Sequence, residues 1–204
     1  MLIQIHPDNP SDRLIDQVVD VLRRGGIIIY PTDTVYGLGC DIYQNKAVEK
    51  IARIKKQKLD VAKFSFICQD LSHITDFTKQ VNNGTYKLMK KNLPGPFTFI
   101  LPANNNVPKL FKTKKKTVGI RIPDHKIPIE IVKKLGHPIL TTSILDDDNI
   151  IEYTTDPELM HAKYENLVDM VIDGGYGRNV PSTVVDCTKD EIEILRYGIG
   201  ELIE

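Results

Sequence analysis

The 204-residue sequence has no tryptophan and no excess of either charge. Its 27 basic residues match its 27 acidic ones. Overall charge therefore gives no drive toward nucleic acid or a membrane surface, and any such site has to be a local patch. Only three cysteines occur, Cys40, Cys68 and Cys187, an odd count without metal-type spacing. They read as free thiols of a reducing cytoplasm. No apolar run approaches the roughly 18 residues of a membrane span. The N-terminal region carries Asp8, Asp12 and Asp16 in place of a basic stretch followed by an apolar one, so it does not read as a signal peptide. None of the histidines at 6, 73, 125, 137 and 161 has metal-ligand spacing with Cys or Glu. No Gly-x-Ser-x-Gly elbow is present. Protease, esterase and zinc-enzyme chemistry thus find no support. The length suits a single domain over 1–204, large enough for a real core.

Hydrophobic periodicity predicts the elements. Strands are expected at 2–5, 27–30, 64–68, 97–101, 118–122, 138–142, 168–172, 183–187 and 192–196. A helix capped by Ser11 carries Leu14, Ile15, Val18, Val19 and Leu22 at helical spacing and ends at Gly25-Gly26. A second, capped by Asn45, carries Ala47, Val48, Ile51 and Ala52. Residues 71–92 read as helix in two pieces broken near Asn82-Asn83-Gly84, and 127–135 and 157–163 as further helices. Strands and helices alternate without a strict βαβ rhythm, which gives an α/β or α+β class with a mixed sheet. There is no internal repeat, linker or low-complexity segment.

The chemistry concentrates around Pro31-Thr32-Asp33-Thr34-Val35-Tyr36-Gly37-Leu38-Gly39, which follows the apolar run Ile27-Ile28-Ile29-Tyr30. Pro31 stops the ladder, and the glycines lack a Cβ, which allows close backbone approach to a ligand. If the stretch is extended, the hydroxyls of Thr32, Thr34 and Tyr36 share one side. An ordinary strand-end turn is the alternative. The lysines at 55, 56, 58 and 63 are either a solvated helix end that offsets the dipole or an anion clamp. Arg121 lies among apolar strand residues, where it serves either a structural ion pair or a ligand carboxylate. Asp146-Asp147-Asp148 reads as an exposed turn. Ser182 and Thr183 cap a turn or face a ligand, and Thr98 is a weaker candidate. Gly174-Gly175-Tyr176-Gly177 opens no helix and reads as a turn. Lys87, Lys90 and Lys91 with Lys112, Lys114, Lys115 and Lys116 would form a basic stripe, but only Tyr86 and Phe111 lie among them. That pattern suits a solvated surface better than base stacking.

Thr32-Asp33-Thr34-Val35-Tyr36-Gly37-Leu38 after a strand resembles the opening motif of the YrdC/YciO family. The blocks Pro94–Thr98, Gly119–Pro123, Thr141-Thr142-Ser143, Pro181–Asp186 and Leu195–Gly198 agree with it in order, across nearly the whole chain. The pattern is most similar to the YciO branch. The resemblance implies a YrdC/RibB-like fold, an open twisted mixed sheet flanked by helices with a concave basic groove, and no second domain. It implies an enzyme of the nucleotidyltransferase type that condenses L-threonine, bicarbonate and ATP into threonylcarbamoyl-AMP and pyrophosphate, for the modified adenosine beside tRNA anticodons. Thr34, with Thr32 nearby, would hold threonine; Arg121 would take its carboxylate, and Thr141 and Ser182 would complete the pocket. Lys56, Lys58, Ser143 and Arg196 would serve the nucleotide, with Mg²⁺ on the triphosphate. The synthases carry Lys-x-Arg-Pro where this chain has Lys56-Gln57-Lys58-Leu59, and Ser-x-Asn where it has Ser143-Ile144-Leu145. Cys68 falls where many of them have His. Lys58 loses the planar guanidinium fork. These departures support an alternative, a YciO-type protein that binds RNA (tRNA or double-stranded RNA) or a nucleotide and has lost or changed the synthase reaction.

Overall fold

The computed structural model describes residues 1–59, 64–108, 116–144, 152–189 and 191–203. In chain order its elements are β1 (Leu2–Gln4), α1 (Asp12–Arg23), β2 (Ile28–Tyr30), β3 (Gly37–Asp41), α2 (Asn45–Ile54), β4 (Ser65–Ile67), α3 (Leu71–Ile74) and α4 (Asn83–Asn92). They continue as β5 (Phe97–Pro102), β6 (Thr117–Arg121), α5 (Lys126–Leu135), β7 (Ile139–Ser143), α6 (Glu152–Thr155), α7 (Pro157–Tyr164), β8 (Met170–Asp173), β9 (Thr183–Asp186) and β10 (Glu193–Arg196). The ten strands form one open sheet in the order β1-β8-β2-β3-β7-β4-β6-β5-β9-β10. It is mixed: β2 pairs antiparallel with β3 and parallel with β8, while β4 pairs parallel with β6 and antiparallel with β7.

Each face of the sheet has its own apolar layer. Alternation along the strands puts Ile28, Tyr30, Ile67, Ile139, Met170 and Ile172 on one face, where they pack under α1 and α5. Ile29, Leu38, Phe66, Phe99, Ile120, Leu140 and Val171 occupy the other face with residues of α2, α4 and α7. The helices follow from their stripes: α1 buries Ile15, Val18, Val19 and Leu22, and α5 buries Ile127, Ile131, Val132 and Leu135. Beyond Ile67 and Ile139, the α1/α5 face continues onto Ser65, Gly119, Ile100 and Val184, which that apolar layer does not include. The candidate site lies along this part of the sheet.

Three local details differ from expectation. Ser11 is the N-cap of α1, yet its side chain caps nothing. Asn45 is the first residue of α2 rather than its cap, which is Gln44. Strand β3 was not anticipated, because Gly37-Leu38-Gly39 carries weak strand propensity. The ring of Tyr30 accounts for both glycines: a Cβ at Gly37 would lie 2.8 Å from Tyr30 Cζ, and one at Gly39 would lie 2.9 Å from Tyr30 Cε1. They admit an aromatic side chain rather than a ligand, contrary to the reading from sequence.

Candidate functional site

Strand β2 ends at Tyr30 because Pro31 has no N–H to offer the ladder. Residues 31–36 then form the loop of the β2–β3 hairpin, not an extended run. The Thr32 hydroxyl donates to the Val35 carbonyl (2.7 Å) and accepts from the Thr34 N–H (3.1 Å). Its one proton is thereby used, so in the 3.2 Å contact between the two hydroxyls Thr34 is the donor. The Thr34 oxygen in turn accepts from Arg121 Nη2 (3.1 Å). Tyr36 does not join these hydroxyls. It donates to the Gly175 carbonyl (2.6 Å) and accepts from the Gly174 N–H (3.2 Å), which ties the hairpin loop to the turn after β8.

Arg121, at the end of β6, is 8% exposed. Its Nη2 donates to Asp33 Oδ1 at 2.8 Å, and Asp33 Oδ2 accepts from the Asp124 N–H at 3.1 Å. Both hydrogens of Nη2 are thus committed, to Asp33 and to Thr34. Arg121 Nε is different: it is buried and, among the described residues, has no hydrogen-bond partner. Buried donors are nearly always satisfied, and an orphan marks a place for a ligand or water. On the neighbouring strands, Ser182 and Thr98 share a hydrogen bond of 2.8 Å. Arg196 holds the Ser182 carbonyl with Nε (3.2 Å) and Nη2 (2.8 Å), and its Nη2 also reaches Ser182 Oγ at 3.3 Å. Burial first, and then the charge of Arg121, push Arg196 below its ordinary value. Two guanidinium groups therefore share one field, and among the described residues the carboxylate that contacts them is Asp33, on Arg121. The cluster is rich in donors and suits an anion.

Tyr30 and Thr141 adjoin it. The Tyr30 hydroxyl donates to Thr141 Oγ1 at 2.6 Å, and burial raises the phenol pKa well above its usual range. Sequence reasoning missed Tyr30 and Asp33 as site residues; the only signal was their position around Pro31.

Of the residues singled out from the sequence, Thr32, Thr34, Arg121, Ser182 and Arg196 come together, and Thr141 joins them on the same face. Ser143 is half-buried opposite Gly37. Lys56 and Lys58 are exposed beyond α2. Lys56 is left-handed, with φ 51°. Its N–H bonds the Arg53 carbonyl while the Gln57 N–H bonds that of Ala52, which closes the helix as a Schellman turn. Among the described residues, no side-chain hydrogen bond or ion pair ties Lys56, Lys58 or Ser143 to the arginines. Leu59 packs against the core. Lys63, Leu145 and Asp146–Asp148 lie outside the described residues, as do Phe111, Lys112, Lys114 and Lys115. Lys87, Lys90 and Lys91 are exposed on α4. Two cavities, of about 430 and 400 Å³, are lined by other residues, around α3 and α4 and around Asp70 and His73. The convergent donors lie in the arginine cluster and not in these cavities. Among the described residues no His/Cys/Asp/Glu group could hold a metal ion, and no helix is long and apolar enough to cross a membrane.

A family model described as telomere recombination, that of Sua5, YciO and YrdC, matches residues 20–198. The chain belongs to the Sua5/YciO/YrdC family. It is 42% identical to the Escherichia coli protein YciO over 97% of this chain and 95% of that one. The crystal structure of E. coli YciO superposes with a TM-score of 0.91, covering 98% of this chain and 97% of the other at 41% identity. Within the family the chain is also related to a threonylcarbamoyl-AMP synthase of Coxiella burnetii, at 27% identity over 87% of this chain and 95% of the synthase. The P. abyssi Sua5 structure complexed with L-threonine matches with a TM-score of 0.85 and 25% identity, over 97% of this chain and 57% of Sua5.

Proposed function

We propose that this member of the Sua5/YciO/YrdC family is a single-domain threonylcarbamoyl-AMP synthase-like enzyme. In the reaction, the threonine amino nitrogen bonds to the bicarbonate carbon with loss of water. A carbamate oxygen then attacks the α-phosphorus of ATP, and pyrophosphate leaves. Such chemistry needs positioning and charge stabilisation more than a protein nucleophile. The observation that carries the reading is the unpartnered, buried Nε of Arg121 inside a cluster of hydroxyl and guanidinium donors. The threonine complex of P. abyssi Sua5 supports it from outside.

In this reading Arg121 Nε takes the threonine carboxylate while Asp33 and Thr34 hold the guanidinium still. Thr34 contacts the substrate, and Thr32, whose hydroxyl is spent inside the loop, orients Thr34. Thr141 and Ser182 complete the pocket. Arg196, Lys56, Lys58 and Ser143 serve the nucleotide, whose triphosphate Mg²⁺ would accompany. Arg121→Ala is expected to abolish threonine-dependent turnover in a pyrophosphate-release assay. Unchanged kinetics in that variant would remove the assignment. A second reading, a YciO-type RNA- or nucleotide-binding protein without this reaction, is favoured by the exposed Lys58 and the core-packed Leu59 where the synthases carry Arg-Pro. Salt-dependent RNA binding without pyrophosphate release would support it.

A further inference from the structure

Tyr30 is wholly buried, and its ring is fixed in place by the bare backbone of Gly37 and Gly39. Among the described residues its hydroxyl bonds Thr141 Oγ1, at 2.6 Å. A phenol is a far stronger acid than an aliphatic alcohol, so the phenol is the donor in this pair. Burial raises its pKa, so that proton stays in place throughout the physiological range. A threonine hydroxyl has one proton and two lone pairs. Because Thr141 accepts from Tyr30, its own proton is left to donate, and among the described residues no hydrogen bond takes it. Strand register places Thr141 opposite Gly39 on one side and Ser65 on the other, with Gly119 beyond Ser65 and Arg121 two residues along that strand. Ser65 and Gly119 are small, so the face between the Thr141 hydroxyl and the Arg121 guanidinium is low.

We propose that Tyr30 is a positioning residue: by filling one lone pair of Thr141 Oγ1 it turns the Thr141 hydroxyl proton into the site, where it serves an acceptor oxygen of the substrate, of a carboxylate or carbamate. The hydroxyls of the hairpin loop differ: their protons are spent inside the loop, that of Thr32 on the Val35 carbonyl and that of Thr34 on Thr32. The inference rests on the reading of the site as one for L-threonine.

The test is L-threonine binding by calorimetry on the full chain, in the wild type, Tyr30→Phe, Thr141→Val, Thr141→Ser and the combination of Tyr30→Phe with Thr141→Val, each checked for folding by circular dichroism. Tyr30→Phe keeps the ring and frees the Thr141 rotor. It should weaken binding by roughly threefold to tenfold, the worth of one oriented hydrogen bond. Thr141→Val should weaken it at least as much, and adding Tyr30→Phe to Thr141→Val should change nothing further. Thr141→Ser should keep most of the affinity. In turnover, Tyr30→Phe should raise KM for threonine and leave KM for ATP unchanged, whereas a merely structural loss would move both. Equal weakening by Tyr30→Phe with and without Thr141, or no weakening at all, overturns the proposal alone. A folded wild type that binds no threonine overturns it together with the synthase reading.

Discussion

Asp33→Ala should cost far more stability than a surface carboxylate would. In the wild type the carboxylate and the Arg121 guanidinium meet at 2.8 Å, and both side chains are 9% exposed. Removing one member of a buried pair leaves the other charged and desolvated, a loss of about 3–5 kcal/mol. Asp33 also accepts the Asp124 N–H ahead of α5, so the hairpin loop loses its tie to that helix. The Arg196 charge lies in the same field and adds repulsion once Asp33 is gone. For a chain of this size each kcal/mol moves Tm by about 2–4 °C, so a fall of about 6–20 °C is expected. Urea unfolding followed by circular dichroism gives the free energy directly. Adding Arg121→Met to Asp33→Ala should recover at least 1 kcal/mol, because an apolar side chain can replace a buried ion pair at little cost. A loss under about 1 kcal/mol for Asp33→Ala, the scale of an exposed pair, would refute the reasoning, as would a double variant no more stable than the single one.

Gly37→Ala would set a Cβ 2.8 Å from the Tyr30 ring and 3.1 Å from Thr141 Oγ1, and should destabilise by about 1–3 kcal/mol in urea unfolding. Gly39→Ala should be worse, because its Cβ would meet the Leu140 carbonyl oxygen at 2.7 Å, and backbone cannot move aside. Lys56→Gly relieves a left-handed residue and should raise stability by about 1 kcal/mol, while raising KM for ATP if Lys56 serves the nucleotide. High pH gives a third test. Burial raises the Tyr30 pKa, so the folded protein keeps a proton that the unfolded chain loses near 10. The resulting stability is complete below that pH and falls as pH rises above it. Tyr30→Phe should therefore flatten the fall in unfolding free energy above about pH 10; an unchanged slope would exclude Tyr30 as a contributor.

Local chemistry was legible in the sequence where one element decides it. The stripes Ile15-Val18-Val19-Leu22 and Ala47-Val48-Ile51-Ala52 became the buried faces of α1 and α2, and Asn82 caps α4 at the expected break. Strand β3 was not legible, because its glycines are explained by the ring of Tyr30, which precedes them in the chain and folds back over them. Helix α6 is four residues long and too short to show periodicity. At the site, the sequence supplied the residue types but not their pairing. The choice between an ion pair and a ligand contact for Arg121 resolves only when the sheet brings it to Asp33, 88 positions away. The structure shows the ion pair, and among the described residues Nε has no partner. Tyr30 and Thr141 are 111 positions apart, and their contact depends on the β3–β7 register that no local pattern encodes.

The most direct test of the synthase reading is pyrophosphate release by the purified protein with ATP, bicarbonate and Mg²⁺, with and without L-threonine. The account predicts release that requires both threonine and bicarbonate and is lost in Arg121→Ala. A folded protein that releases no pyrophosphate with threonine present, or releases it equally without threonine, would contradict the account.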